Sequence, residues 1–138
     1  MLLMLVTAFS CKKKARQQNS AQNPVPYQAV DITMYPNDPL NIKVQGIGGW
    51  MYVTGGINGI VLYRKSQEEF VAIERTSSAL PSNPAARVNV LSDNFTLKDS
   101  ISGSEWRIID ASVKKGPAEW PLRIYGTTYN GNSLRIKN

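Results

Sequence analysis

The chain has no histidine, and its one cysteine, Cys11, stands close to the amino terminus. Those two facts exclude most side-chain chemistry. Without an imidazole there is no His-based general base, no Ser-His-Asp or Cys-His nucleophile pair, and no nitrogen ligand for a metal. With a single thiol there is no intrachain disulfide, no CxxC redox pair and no thiolate cage. Carboxylates, Lys, Tyr, Ser and Thr remain. Asp99 and Glu105 are six positions apart around a Ser/Gly segment, but an acid–base dyad needs two acids held at a fixed separation in a cleft, and spacing in sequence supplies no cleft. The string Gly46-Ile47-Gly48-Gly49 lacks the following helix and the lysine of a phosphate-binding loop, so it reads as a turn or bulge. The residues therefore point to no catalytic set and no metal site.

Charge narrows the partners. The net charge is +6, yet Lys12, Lys13, Lys14 and Arg16 supply four of the sixteen basic residues. From Gln28 onward twelve basic residues face ten acidic ones, so the folded part is close to neutral. Nucleic-acid binding requires a basic patch on the domain itself, interleaved with aromatic residues. The excess here sits in the amino-terminal segment, and no nucleic-acid partner is expected.

The elements that would position any site are short strands and turns. No window carries helical periodicity. Leu40-Asn41-Ile42-Lys43-Val44 alternates apolar and polar like a half-buried strand. Trp50–Thr54, Ile60–Arg64 and Phe70–Glu74 form a meander, with Gly55, Gly56 and Gly59 supplying positions that tolerate positive φ. Arg87–Leu91, Phe95–Lys98, Glu105–Ile109, Leu122–Tyr125 and Ser133–Lys137 continue the pattern, the last hairpin closed by Asn130-Gly131. The expected fold class is all-β.

The first ten residues, MLLMLVTAFS, are apolar but too short to span a bilayer, and they end in small residues directly before Cys11. This boundary resembles the lipobox of bacterial lipoproteins. The resemblance implies a signal peptide over 1–10, cleavage before Cys11, lipid attachment at Cys11 and a place in the cell envelope. Residues 12–26 are polar, with two prolines and no apolar periodicity, so 11–27 is expected to be a lipid anchor and flexible tether, with the domain over 28–138. The basic cluster beside the lipid would add about 1 kcal/mol per residue where headgroups are anionic.

Within the domain, the order and content of three loops resemble the Rieske family. The proline loop reads Gly116-Pro117-Ala118-Glu119-Trp120-Pro121-Leu122, and Gly131–Ile136 follows as a last hairpin. The meander Gly59–Arg64 and Phe70–Thr76 leads into a first loop, and Gly103-Ser104 with Trp106 closes a second. The resemblance implies small antiparallel β-sheets with two ligand loops under a proline loop. It assigns the four cluster-ligand positions to Ser77, Ala79, Asp99 and Ser102. A Rieske 2Fe-2S centre takes two thiolates and two imidazoles, which these residues cannot supply. No cofactor is expected, although the family carries an iron–sulfur cluster.

The resemblance also places the two loops at one tip, with Ser77, Asp99 and Ser102 as oxygen donors; a hard cation such as calcium would take more carboxylates than that. Trp106 and Trp120 are expected to pack into the tip rather than form a contact surface. Two functions follow as expectations. One is a non-catalytic, membrane-anchored binding or structural module with an unknown protein or small-molecule partner. The other is the family's electron-transfer role, opposed by the missing Cys and His ligands.

Overall fold

The computed structural model describes residues 23–138. Cys11, the expected signal peptide and most of the expected tether lie outside the described residues. Among the described residues ten strands form two antiparallel sheets. The larger takes β1 (Asp31–Met34), β10 (Leu134–Lys137), β9 (Ile124–Tyr129), β4 (Phe70–Glu74), β3 (Ile60–Arg64) and β2 (Trp50–Val53) in that spatial order. The smaller takes β5 (Asn89–Val90), β6 (Thr96–Lys98), β7 (Glu105–Arg107) and β8 (Val113–Lys115).

The two-residue period of a strand explains why β3 and β4 lie at the centre. All five residues of β3 are buried. Ile60 and Leu62 point into a core shared with Phe70, Ala72, Tyr125, Leu134 and Ile136. Val61 and Tyr63 point the other way, into a second core with Ile73, Val88, Leu97, Trp106 and Leu122. A strand covered on both faces reads as a continuous apolar run. Arg64 ends that run and is 2% exposed. Its guanidinium donates to the carbonyls of Val44 at 3.3 Å, Gln45 at 2.9 Å and Gln67 at 2.7 Å, and it stacks 4.9 Å from the Phe70 ring.

Several sequence expectations need correction. Leu40–Val44 is no strand: Pro39–Val44 is a 3-10 helix. Asp38 Oδ1 accepts the Leu40 amide at 2.8 Å, and Pro39 at the first position fixes φ where no amide is needed. The alternating Leu40 and Ile42 are left exposed, and Val44 alone of the three is buried. Arg87–Leu91 contributes only β5 and a single bridge between Thr76 and Arg87. Leu122 and Arg123 precede β9, which runs on through Gly126 and Thr127 to Tyr129. Packing also begins before Gln28. Val25 is fully buried, its carbonyl accepts from Arg123 Nη2 at 2.5 Å, and Asn23 Nδ2 donates to the Pro121 carbonyl at 3.1 Å. An apolar residue between two prolines docks there because Arg123 supplies a donor for its backbone.

Candidate functional site: a closed tip of three loops

The first loop leaves β4 through Thr76 and returns at Arg87. Ser77 is fully buried; its amide donates to the Ala86 carbonyl at 2.9 Å, and its Oγ accepts the Ala79 amide at 3.2 Å. Ala79 is half-buried against the core that holds Trp106.

The second loop, between β6 and β7, closes on Asp99. This carboxylate is fully buried and accepts the Ile101 amide at 2.8 Å on Oδ1 and the Ser102 hydroxyl at 2.7 Å on Oδ2. Ser102 Oγ in turn accepts the Ser104 amide at 3.1 Å. The Gly103 amide reaches the Asp99 carbonyl at 2.8 Å, with φ at 78°, a left-handed value that glycine adopts freely. Short polar side chains that bond their own backbone make such a turn self-sufficient.

The proline loop joins the two. Gly116-Pro117 is a cis peptide, and Ala118, which follows, is buried and donates its amide to Ser104 Oγ at 2.9 Å. The Trp120 carbonyl accepts from Ser78 Oγ at 2.6 Å and from the Trp106 indole at 3.0 Å. Pro121 meets Asn23 from the amino-terminal segment. One carbonyl thus ties the first loop to the strand after the second, and Trp106, fully buried, fills the space beneath.

The proline loop therefore touches both loops, through Ser78 and through Ser104, and each position assigned by resemblance is engaged within its own loop. Ser77 and Ser102 hydroxyls accept backbone amides, Ala79 offers a methyl group, and both oxygens of Asp99 accept local donors. An iron–sulfur cluster does not fit this donor set. Hydroxyl and carboxylate oxygens are hard ligands, and the chain has no imidazole and no thiol beyond Cys11. Among the described residues no group of three His, Cys, Asp or Glu is placed to hold a metal ion. Glu105 lies 3.9 Å from Lys98, a loose surface pair, and Asp99 faces its own turn. Trp106 packs in the core as expected.

One polar centre escaped the sequence reading. Glu74, fully buried at the end of β4, accepts five hydrogen bonds: Ile57 N at 2.8 Å and Tyr125 Oη at 2.5 Å on Oε2, and Asn58 N at 2.9 Å, Thr76 N at 3.1 Å and Thr76 Oγ1 at 2.9 Å on Oε1. Burial first, and then the bond to Glu74 and its charge, push the Tyr125 phenol far above its ordinary range. Gly56 makes the approach possible, because a Cβ there would stand 2.1 Å from Oε2. The only signal in the sequence was an acid closing an apolar strand, eighteen residues after the pair Gly55-Gly56.

No family model matches the sequence, and no curated protein matches it. Among solved structures, the fold resembles that of the cyanobacterial plasma membrane Rieske protein PetC3 from Synechocystis PCC 6803. The two superpose with a TM-score of 0.56 at 19% identity, over 76% of this chain and 99% of that one. At that identity the likeness is one of architecture. The domain has a Rieske-like all-β fold.

Proposed function

We propose that this protein is an exported lipoprotein whose Rieske-like domain carries no cluster and acts as a non-catalytic binding or structural module at the cell envelope. The observation that carries this reading is the closed tip: the Trp120 carbonyl takes hydrogen bonds from both Ser78 and Trp106, while Asp99 and Ser102 bond each other. A fold built to present a cluster has its ligand positions replaced by residues that satisfy one another. Among the described residues no helix is long and apolar enough to cross a membrane, so attachment in this reading rests on lipid at Cys11. Its partners are membrane lipid and a protein or small molecule, not nucleic acid.

The test is spectroscopic. Full-length protein, purified and then treated anaerobically with iron and sulfide, stays colourless, binds no stoichiometric iron and gives no Rieske-type EPR signal. A stable two-iron product would instead support the second reading, an electron carrier, which the likeness to PetC3 favours. The anchor is tested separately. Labelled palmitate enters the wild-type chain in a bacterial host and is absent from Cys11→Ala; label retained in the variant would remove Cys11 as the attachment site.

A further inference from the structure

A cleft of about 500 Å³ opens beside the loop between β2 and β3 and is lined by none of the residues whose hydrogen bonds close the tip. Tyr52 of β2, the Gly55–Gly59 loop, Arg75 and Arg87 line it. Its size falls in the range of small-molecule sites. Arg75 is only 7% exposed and held rigidly: Nε donates to the Val88 carbonyl at 3.0 Å, Nη2 to Asn89 Oδ1 at 2.5 Å, and the guanidinium stacks 3.9 Å from the Tyr52 ring. Tyr52 is fixed in turn, its hydroxyl accepting the Val90 amide at 3.0 Å. The remaining nitrogen, Nη1, has no hydrogen-bond partner among the described residues and lies beside Gly59, where a Cβ would come within 3.8 Å of it.

Arg87 is exposed on the same cleft and has no ion-pair partner among the described residues. Glu74, whose charge reaches Arg75, is held behind the glycine loop with both oxygens engaged by five donors. Burial most of all, and also the charge of Arg87, disfavour the Arg75 cation, while Tyr52 and Glu74 favour it. Two guanidiniums that feel each other's charge, one of them preorganised with a donor to spare, form a receptor for an oxyanion. The stacked Tyr52 and the wall of Val53 and Ile57 suit an organic body rather than a bare ion.

We propose that this cleft binds a small organic oxyanion, a carboxylate or a phosphate monoester, through Arg75 Nη1 and the Arg87 guanidinium. The site shares no residue with the anchor or with the hydrogen bonds that close the tip, so its failure leaves the proposed function standing, and the reverse holds.

Calorimetric titration of the full-length protein with D-glucuronate, glucose 6-phosphate and D-glucose tests it. The two anions bind and glucose does not; whichever anion binds more tightly assigns carboxylate or phosphoryl recognition. Arg87→Ala, an exposed substitution that leaves the backbone bridge to Thr76 in place, weakens the anions at least about tenfold, and Arg87→Glu abolishes binding. Arg75→Lys, which keeps charge but loses the fork, weakens them while circular dichroism stays unchanged. Amide resonances of Gly55–Gly59 shift on titration and those of Asp99–Ser104 do not. Anion binding that is unaltered in Arg87→Ala, equal binding of glucose, or no binding of either anion at millimolar concentration overturns the proposal.

Discussion

Tyr125 donates its hydroxyl to Glu74 Oε2 at 2.5 Å, across the short β4–β9 pairing in which Ala72 faces Tyr125. That bond joins the carboxyl-terminal hairpin to the glycine loop, because the same oxygen accepts the Ile57 amide. Removing the hydroxyl in Tyr125→Phe is expected to cost about 1.5–3 kcal/mol, the range for a hydrogen bond to a charged acceptor. Glu74→Gln costs more, about 3 kcal/mol, because an amide nitrogen must then face donors on one side. Gly56→Ala forces a methyl onto Oε2 and holds a left-handed φ of 63°, a backbone penalty of roughly 1–2 kcal/mol before the clash is counted. Urea unfolding of the three variants checks the order.

Burial of the Tyr125 phenol, and then that bond, set behaviour in base. The folded protein holds the Tyr125 proton far above the phenol's ordinary value of 10.0. Below that pH both the folded and unfolded chains keep the proton, and the contribution to stability is fully present. Above it the unfolded chain releases the proton and the folded chain does not, so stability falls as pH rises beyond about 10. Absorbance at the phenolate band should show one tyrosine silent until unfolding. Tyr125→Phe should remove that silent group and flatten the alkaline loss of stability.

How much of this was legible in the sequence differs by element. β3 and β4 were, because a run buried on both faces has no polar alternation to confuse it. Leu40–Val44 mimicked a strand through its alternation, yet Asp38 and Pro39 supplied a capped helical turn that outweighs a pattern with nothing to pair against. β8, Val113-Lys114-Lys115, escaped because an edge strand with one face in water needs little apolar content. At the tip, the sequence held the proline loop, but not that its Trp120 carbonyl would take both Ser78 and Trp106 as donors. The Glu74 centre was hidden, since its donors come from positions 57, 58, 76 and 125. Only folding brings those together.

Asp93 gives a prediction in acid. In the β5–β6 turn it accepts the Thr96 hydroxyl at 2.6 Å and the amides of Phe95 and Thr96 at 2.9 Å, led by the hydroxyl bond, and its carboxyl drops to about 2 from 3.8. Since the folded value is the lower one, the stabilisation is present above 3.8 and is lost as pH falls toward 2. Carbon-detected NMR titration should find Asp93 still ionised near pH 3. Thr96→Val removes the leading bond and should move the midpoint back toward 3.8. A wild-type midpoint at the ordinary value would mean that the turn does not hold in solution.

The tip makes the sharpest claim on packing. Ser78→Ala removes one donor to the Trp120 carbonyl and is expected to cost about 1 kcal/mol. Trp106→Phe keeps an aromatic body but loses the indole donor and some volume, for about 1–3 kcal/mol, whereas Trp106→Ala opens a cavity worth about 3–5 kcal/mol. Because both donors meet at one oxygen, the Ser78→Ala/Trp106→Phe pair should be coupled by at least about 0.5 kcal/mol in a double-mutant cycle. Additivity to within about 0.3 kcal/mol would mean that the first loop and the strand after the second act independently. Coupling would mean that the three loops hold together as one unit, which is what a tip closed on itself requires.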